Sequence, residues 1–144
     1  MRHHKLLCLL PIVLFTAACS TSPVPVAERR QAPRERVSNA AVLSPSAERS
    51  ARFTITRDSG YVASAASVRV FIDGQIAARL ATSETVVVYV TPGRHVVGAR
   101  FSWGNMSPAE REFVADAQKP VSIRITTDQN PNLDLKPESG YLYE

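Results

Sequence analysis

The sequence predicts an all-β protein: a single small antiparallel β-sandwich of about six to eight strands over residues 51–144. Three observations predict it. β-Branched residues alternate with polar ones at a period of two, the pattern of half-buried strands. Turn dipeptides such as Asp73-Gly74 and Pro92-Gly93 punctuate those runs. From Phe53 to Phe101 strands recur at roughly 8 to 15 residues, the spacing of sandwiches and barrels.

The chain ahead of that domain divides into a leader, 1–18, and a tether, 19–50. Arg2 and Lys5 precede an apolar run from Leu6 to Phe15, and Thr16-Ala17-Ala18 are small residues before Cys19. That order matches a cleaved secretory signal. The apolar stretch from Leu6 to Ala18 has 13 residues and contains Pro11, whereas a bilayer span needs about 20. Two readings of Cys19 compete: an early residue of a chain cut near Ala18, or the mature N-terminus carrying acyl chains. The segment Phe15-Thr16-Ala17-Ala18-Cys19 resembles the lipobox of bacterial lipoproteins, although Thr16 stands where that family usually has Leu. Cysteine usage favours acylation. Of the two cysteines, Cys8 leaves with the leader, so no internal disulfide forms and Cys19 is an odd thiol in an exported protein. Burying acyl chains contributes about 0.8 kcal/mol per CH₂, and more than one chain gives stable anchoring. The lipoprotein resemblance also implies, from Ser20 after the Cys, an outer-membrane protein facing the periplasm.

Residues 19–50 carry Pro23, Pro25, Pro33 and Pro45 and no aromatic residue. Such a segment reads as disordered, with a reach of roughly 30 Å as a flexible coil. Val37 to Leu43 is the exception, apolar enough for a short helix or an edge strand against the domain. The tether has a net charge of +2 and residues 51–144 a net charge of zero. A neutral domain argues against nucleic acid as a partner, because that requires a clustered basic footprint.

Within the domain, Phe53 and Ile55, then Val68, Val70 and Ile72, then Val86, Val88 and Val90, then Val121, Ile123 and Ile125 supply the alternation. Val86 to Val90 has no polar gap and reads as a central strand covered on both faces. Asp73-Gly74 is a hairpin signal, since Gly accepts the positive φ that such turns need. Pro92-Gly93 suits a type II turn. Residues 107–117 are ambiguous. Ser107-Pro108-Ala109-Glu110 is a helix start signal, but Val121 to Ile125 needs an antiparallel neighbour, which favours a strand around Glu112 to Ala115. Asn130-Pro131-Asn132 marks a further turn, and Leu133, Leu135, Tyr141 and Tyr143 form a tail that packs in part.

The run Val68 to Leu80, then Thr85 to Val90, then Thr91-Pro92-Gly93-Arg94-His95, resembles small bacterial lipoproteins of uncharacterised function and is similar to PEGA-type β-sandwich modules. The resemblance covers about Ala51 to Ile125 and rests on turn and core positions, so it implies a fold and transfers no catalytic residue.

Candidate chemistry is sparse. His95 lacks the companions of a zinc site and reads as a surface residue or a turn brace. Asp58 and Asp73 sit in turn sequences, Ser59 lacks a nucleophile elbow, and the glycines form no phosphate fingerprint. No metal or cofactor is expected. Aromatics are the better contact candidates: Phe101, Trp103 and Tyr61, in or beside loops, offer rigid area to a sugar or protein. The competing reading, which the sequence favours, is that Trp103 plugs one end of the small core. The expectation is a non-enzymatic binding or structural module, attached to the membrane through N-terminal acyl chains and touching an envelope protein or peptidoglycan. The alternatives are an accessory subunit that adds exposed β edges to an envelope assembly and, with least support, a small hydrolase.

Overall fold

Period-two alternation gives each strand one apolar face, and two sheets bury those faces against each other. The computed structural model describes residues 21–138. The leader, Cys19 and the tail with Tyr141 and Tyr143 lie outside the described residues. Nine strands are present: β1 (Arg30–Gln31), β2 (Ala51–Arg57), β3 (Val68–Ile72), β4 (Gln75–Leu80), β5 (Glu84–Val90), β6 (Gly93–Phe101), β7 (Ala109–Ala115), β8 (Val121–Thr127) and β9 (Leu133–Pro137). One sheet has the order β1-β5-β2-β8-β9 and the other β4-β3-β6-β7. Phe53, Ile55, Val88, Ile123, Ile125 and Leu135 from the first sheet meet Val68, Val70, Leu80, Val97 and Phe101 from the second in one core.

The all-β sandwich is as expected, with two refinements. β1 runs parallel to β5, and β2 runs parallel to β8, so the first sheet is mixed. Residues 109–115 are indeed a strand, but β7 pairs with β6 across Gly93–Ala99, not with β8. The antiparallel neighbour of β8 is β9. The 116–120 connection therefore crosses between sheets, as does Thr91-Pro92 between β5 and β6.

The larger correction concerns the tether. From Thr21 to Ser50 the chain follows the sandwich surface. Thr21 Oγ1 accepts from Thr127 N at 3.0 Å, and Ser22 bridges Ser59. Val24 is buried. β1 adds to β5, and Ala32 N donates to Thr85 O at 2.8 Å. Val37 is buried and bridges Ala78, while Ser38 N donates to Ala77 O at 2.9 Å. Ala40–Leu43 forms one 3₁₀ turn beside β5, capped by the Asn39 side chain at Ala41 N. That turn half-covers the outward side chains of β5, Val87 and Tyr89.

The physical reason lies in the domain. β4 and β5 adjoin on one side of the sandwich, and without this segment both would be open edges with unpaired backbone groups. The segment supplies the missing partners, and ion pairs Arg29–Glu138 and Arg36–Glu84 hold it down. Composition measures what a segment can bury by itself, and misses the edges that its neighbour leaves unpaired.

Candidate functional site

Three constellations follow from this fold. The first is the Asp73 turn. Asp73 (φ 50°) and Gly74 (φ 78°) both take positive φ and close a two-residue turn between Ile72 and Gln75. Asp73 Oδ1 accepts from Val96 N at 2.9 Å, and Oδ2 lies 2.7 Å from His95 Nδ1. His95 occupies an inward register of β6, edge-on to Phe53, and its Nε2 lies 2.8 Å from Thr91 O. A carbonyl and a carboxylate only accept, so both contacts are satisfied together when both ring nitrogens carry protons, the imidazolium form. Burial works to lower the His95 pKa, but the bonds to Asp73 and Thr91 and the carboxylate charge outweigh it and hold it above the ordinary value. Asp73 moves the other way: burial opposes, while bonds from His95 and Val96 hold its carboxyl below the usual range. These residues brace the hairpin tip onto β6, beside a shallow cleft of about 250 Å³ that Val42, Ile76 and Tyr89 also line. Gly93 (φ 132°) opens β6 after Pro92 at the same end.

The second constellation is a pair of buried charges at the end of β2. Asp58 is fully buried, and Arg124 grips it through Nε–Oδ1 at 3.0 Å and Nη2–Oδ2 at 2.5 Å. Burial pushes the Asp58 pKa up, and the Arg124 bonds and charge counter that only in part. Arg57 points the opposite way, into the core. Its guanidinium donates to the carbonyls of Ala66, Leu80 and Ala63 and lies 5.8 Å from the Phe101 ring. Burial lowers its pKa to about 10, with nearby Glu84 working in the opposite direction. Sequence reading missed Arg57. The signal was present, since Phe53, Ile55 and Arg57 share one alternation phase.

The third lies at one end of the sandwich. Strand directions put loops 58–67, 81–83, 102–108 and 128–132 together there, with the entry of the chain at Thr21. Tyr61 is 92% exposed and Trp103 59% exposed. Their loops are joined through Ser102 N to Ser67 O at 2.8 Å. Phe101 does not belong with them. It ends β6 in phase with Val97 and Ala99, is 2% exposed, and packs in the core beneath Arg57. Directly behind these loops, on the outer face of the second sheet, Arg69 stands opposite Arg79 on β4 and Arg100 on β6. The three arginines form one cross-strand row, unseen in sequence because three separate strands contribute it.

Among the described residues no group of three or more His, Cys, Asp or Glu is placed to hold a metal ion, and no helix is long and apolar enough to cross a membrane. Neither a protein-family model, nor a curated protein, nor a solved structure matches this chain.

Proposed function

We propose that this is a lipid-anchored envelope protein, held through acyl chains on Cys19 at the outer membrane and facing the periplasm. Its domain acts as a non-enzymatic binding or structural module for a protein or glycan of the envelope. One observation carries the non-enzymatic part. The acid and base candidates, His95, Asp73 and Asp58, are each engaged in bonds within the fold: His95 with Asp73 and Thr91, Asp58 with Arg124. These bonds engage both ring nitrogens of His95 and both oxygens of Asp58 within the fold, which supports a structural use of them over a free general acid or base. The leader and the odd thiol of Cys19 support the anchor.

Two measurements test this. Cys19→Ser is expected to leave the domain folded, slow removal of the leader and abolish partitioning into the detergent phase; a variant that still partitions refutes acylation. Crosslinking with mass spectrometry in intact cells reads the partner, and a single stoichiometric protein rules out glycan.

A further inference from the structure

We infer that the loop end of the sandwich is a docking face for an anionic lipid surface, with Tyr61 and Trp103 entering the interfacial layer and Arg69, Arg79 and Arg100 meeting the headgroups. The inference rests on the proposed acylation of Cys19 and adds to it a defined orientation and contact surface.

Position comes first. Only Ser20 separates Cys19 from Thr21, and two residues span at most about 7 Å whatever their conformation. Thr21 is fixed to the last residue of β8, its Oγ1 3.2 Å from Thr127 O and 3.0 Å from Thr127 N. Gly60, next to Tyr61, packs directly against the Thr21 side chain. An acylated Cys19 thus brings this end of the sandwich to the bilayer and leaves the Asp73 end pointing away.

Composition agrees with position. Residues 59–67, 81–83 and 102–108 contain no Asp, Glu, Lys or Arg, and Asp128 is the one acidic residue of loop 128–132. Charge-free tips can approach the headgroup layer without burying a charge. Exposed Trp and Tyr are the side chains enriched there, with an apolar body and a polar tip. The arginine row supplies the third argument. Like charges directly opposite on neighbouring strands destabilise a sheet, yet Arg79, Arg69 and Arg100 stand side by side. Arg69 is half-buried and donates to Ser102 O at 2.9 Å, Arg100 lies 5.7 Å from the Phe71 ring, and none of the three joins an ion pair among the described residues. Glu110 is the closest acid on that face, paired with Gly98 and so offset from Arg100. Basic side chains near an anionic leaflet are drawn to its headgroups. An anionic lipid surface relieves the repulsion that the fold leaves unbalanced.

Trp103 is the only tryptophan of the chain, so its emission reads the contact directly. The acylated full-length protein is reconstituted into vesicles of phosphatidylethanolamine with phosphatidylglycerol, and acylation of Cys19 is read by mass spectrometry of its N-terminal peptide. The expected result is a shift of Trp103 emission to shorter wavelength, quenching by lipids brominated near the carbonyl end, and loss of quenching by aqueous iodide. The double variant Trp103→Phe/Val114→Trp, which carries its indole at the opposite end, remains open to iodide. Replacing phosphatidylglycerol by phosphatidylcholine, or introducing Arg79→Gln with Arg100→Gln, returns Trp103 towards iodide access. An acylated protein whose Trp103 stays open to iodide and untouched by brominated lipid overturns the docking face and leaves the anchor standing. Shielding of Trp103 by added peptidoglycan fragments instead of lipid also overturns it. An unacylated Cys19 removes both the anchor and the orientation built on it.

Discussion

Replacing Arg57 by Ala tests the most heavily committed buried charge in the fold. Its guanidinium supplies donors to three carbonyls from one loop and one strand, Ala63 and Ala66 in the 58–67 loop and Leu80 at the end of β4, and covers the Phe101 ring. A hydrogen bond to a charged group contributes about 1.5–3 kcal/mol, and a desolvated cation over an aromatic ring about 2 kcal/mol. These do not add, because one planar group makes them all. Removing it leaves buried carbonyls unpaired and a cavity over Phe101, a loss of about 3–5 kcal/mol on the scale of other broken buried ionic contacts. With a urea m-value of about 2 kcal/mol per M, the midpoint falls by about 2 M. Arg57→Lys keeps the charge but not the fork of donors, and is expected to lose about half as much. Urea denaturation followed by far-ultraviolet circular dichroism, in a Cys19→Ser background, gives both numbers. An Arg57→Ala midpoint within about 0.5 M of the parent, equivalent to about 1 kcal/mol, would refute the account of Arg57 as the bolt of this corner.

The Asp73–His95 pair sets a pH window. His95 has a raised folded pKa, so its contribution is complete below about pH 6.5, its unfolded value, and is lost as pH rises through the folded one. Asp73 has a lowered folded pKa, so its contribution is present above its unfolded value near pH 4 and is lost as pH falls through the folded one. The pair therefore stabilises most between about pH 4 and 6.5. Thermal denaturation across pH should decline on the alkaline side in the parent and flatten in Asp73→Asn, and NMR titration should place the His95 pKa above 6.5; a His95 pKa below that value would contradict the bonds described. Val37→Asp puts an unpaired charge at the buried bridge to Ala78 and should release residues 30–43 while the sandwich stays folded. Trypsin cleavage at Arg34 and Arg36 should then become fast, and equal cleavage rates in parent and variant would mean that the segment is not held there.

Period-two patterning located β2, β3, β5 and β8, because each buries one face and the chemistry of that face is written in its own residues. Asp73-Gly74 was legible for the same reason, since a two-residue turn is a local object, whereas the sequence left His95 as either a surface residue or a brace, and its contact with Asp73 decides for the brace. What escaped was non-local. Phe101 stands next to a loop in sequence, yet its β6 phase points it inward. The partner of β7 depended on which sheet the 116–120 connection leads to, and no residue in that connection encodes it. Arg69, Arg79 and Arg100 lie on three strands, so a net charge of zero concealed a basic row. Registers produce such a row, and only pairing reveals it.

The docked N-terminal segment changes what an anchor at Cys19 would do. A flexible coil of about 31 residues would let the domain range roughly 30 Å from the bilayer, whereas a chain fixed at Thr21 leaves about 7 Å. The segment that was expected to give reach instead lies along β4 and β5, where open edges would otherwise invite strand addition by a partner, while β7 and β9 remain edge strands. The same residues that shorten the leash thus occupy those edges. With such an anchor the Asp73 end would face away from the bilayer, with the cleft beside His95 and the exposed Val114 on β7. A protein or glycan partner would therefore be met there, at the end of the sandwich opposite Trp103. Crosslinkers installed at Val114 should capture it and crosslinkers at Tyr61 should capture lipid; the reverse pattern would invert the orientation.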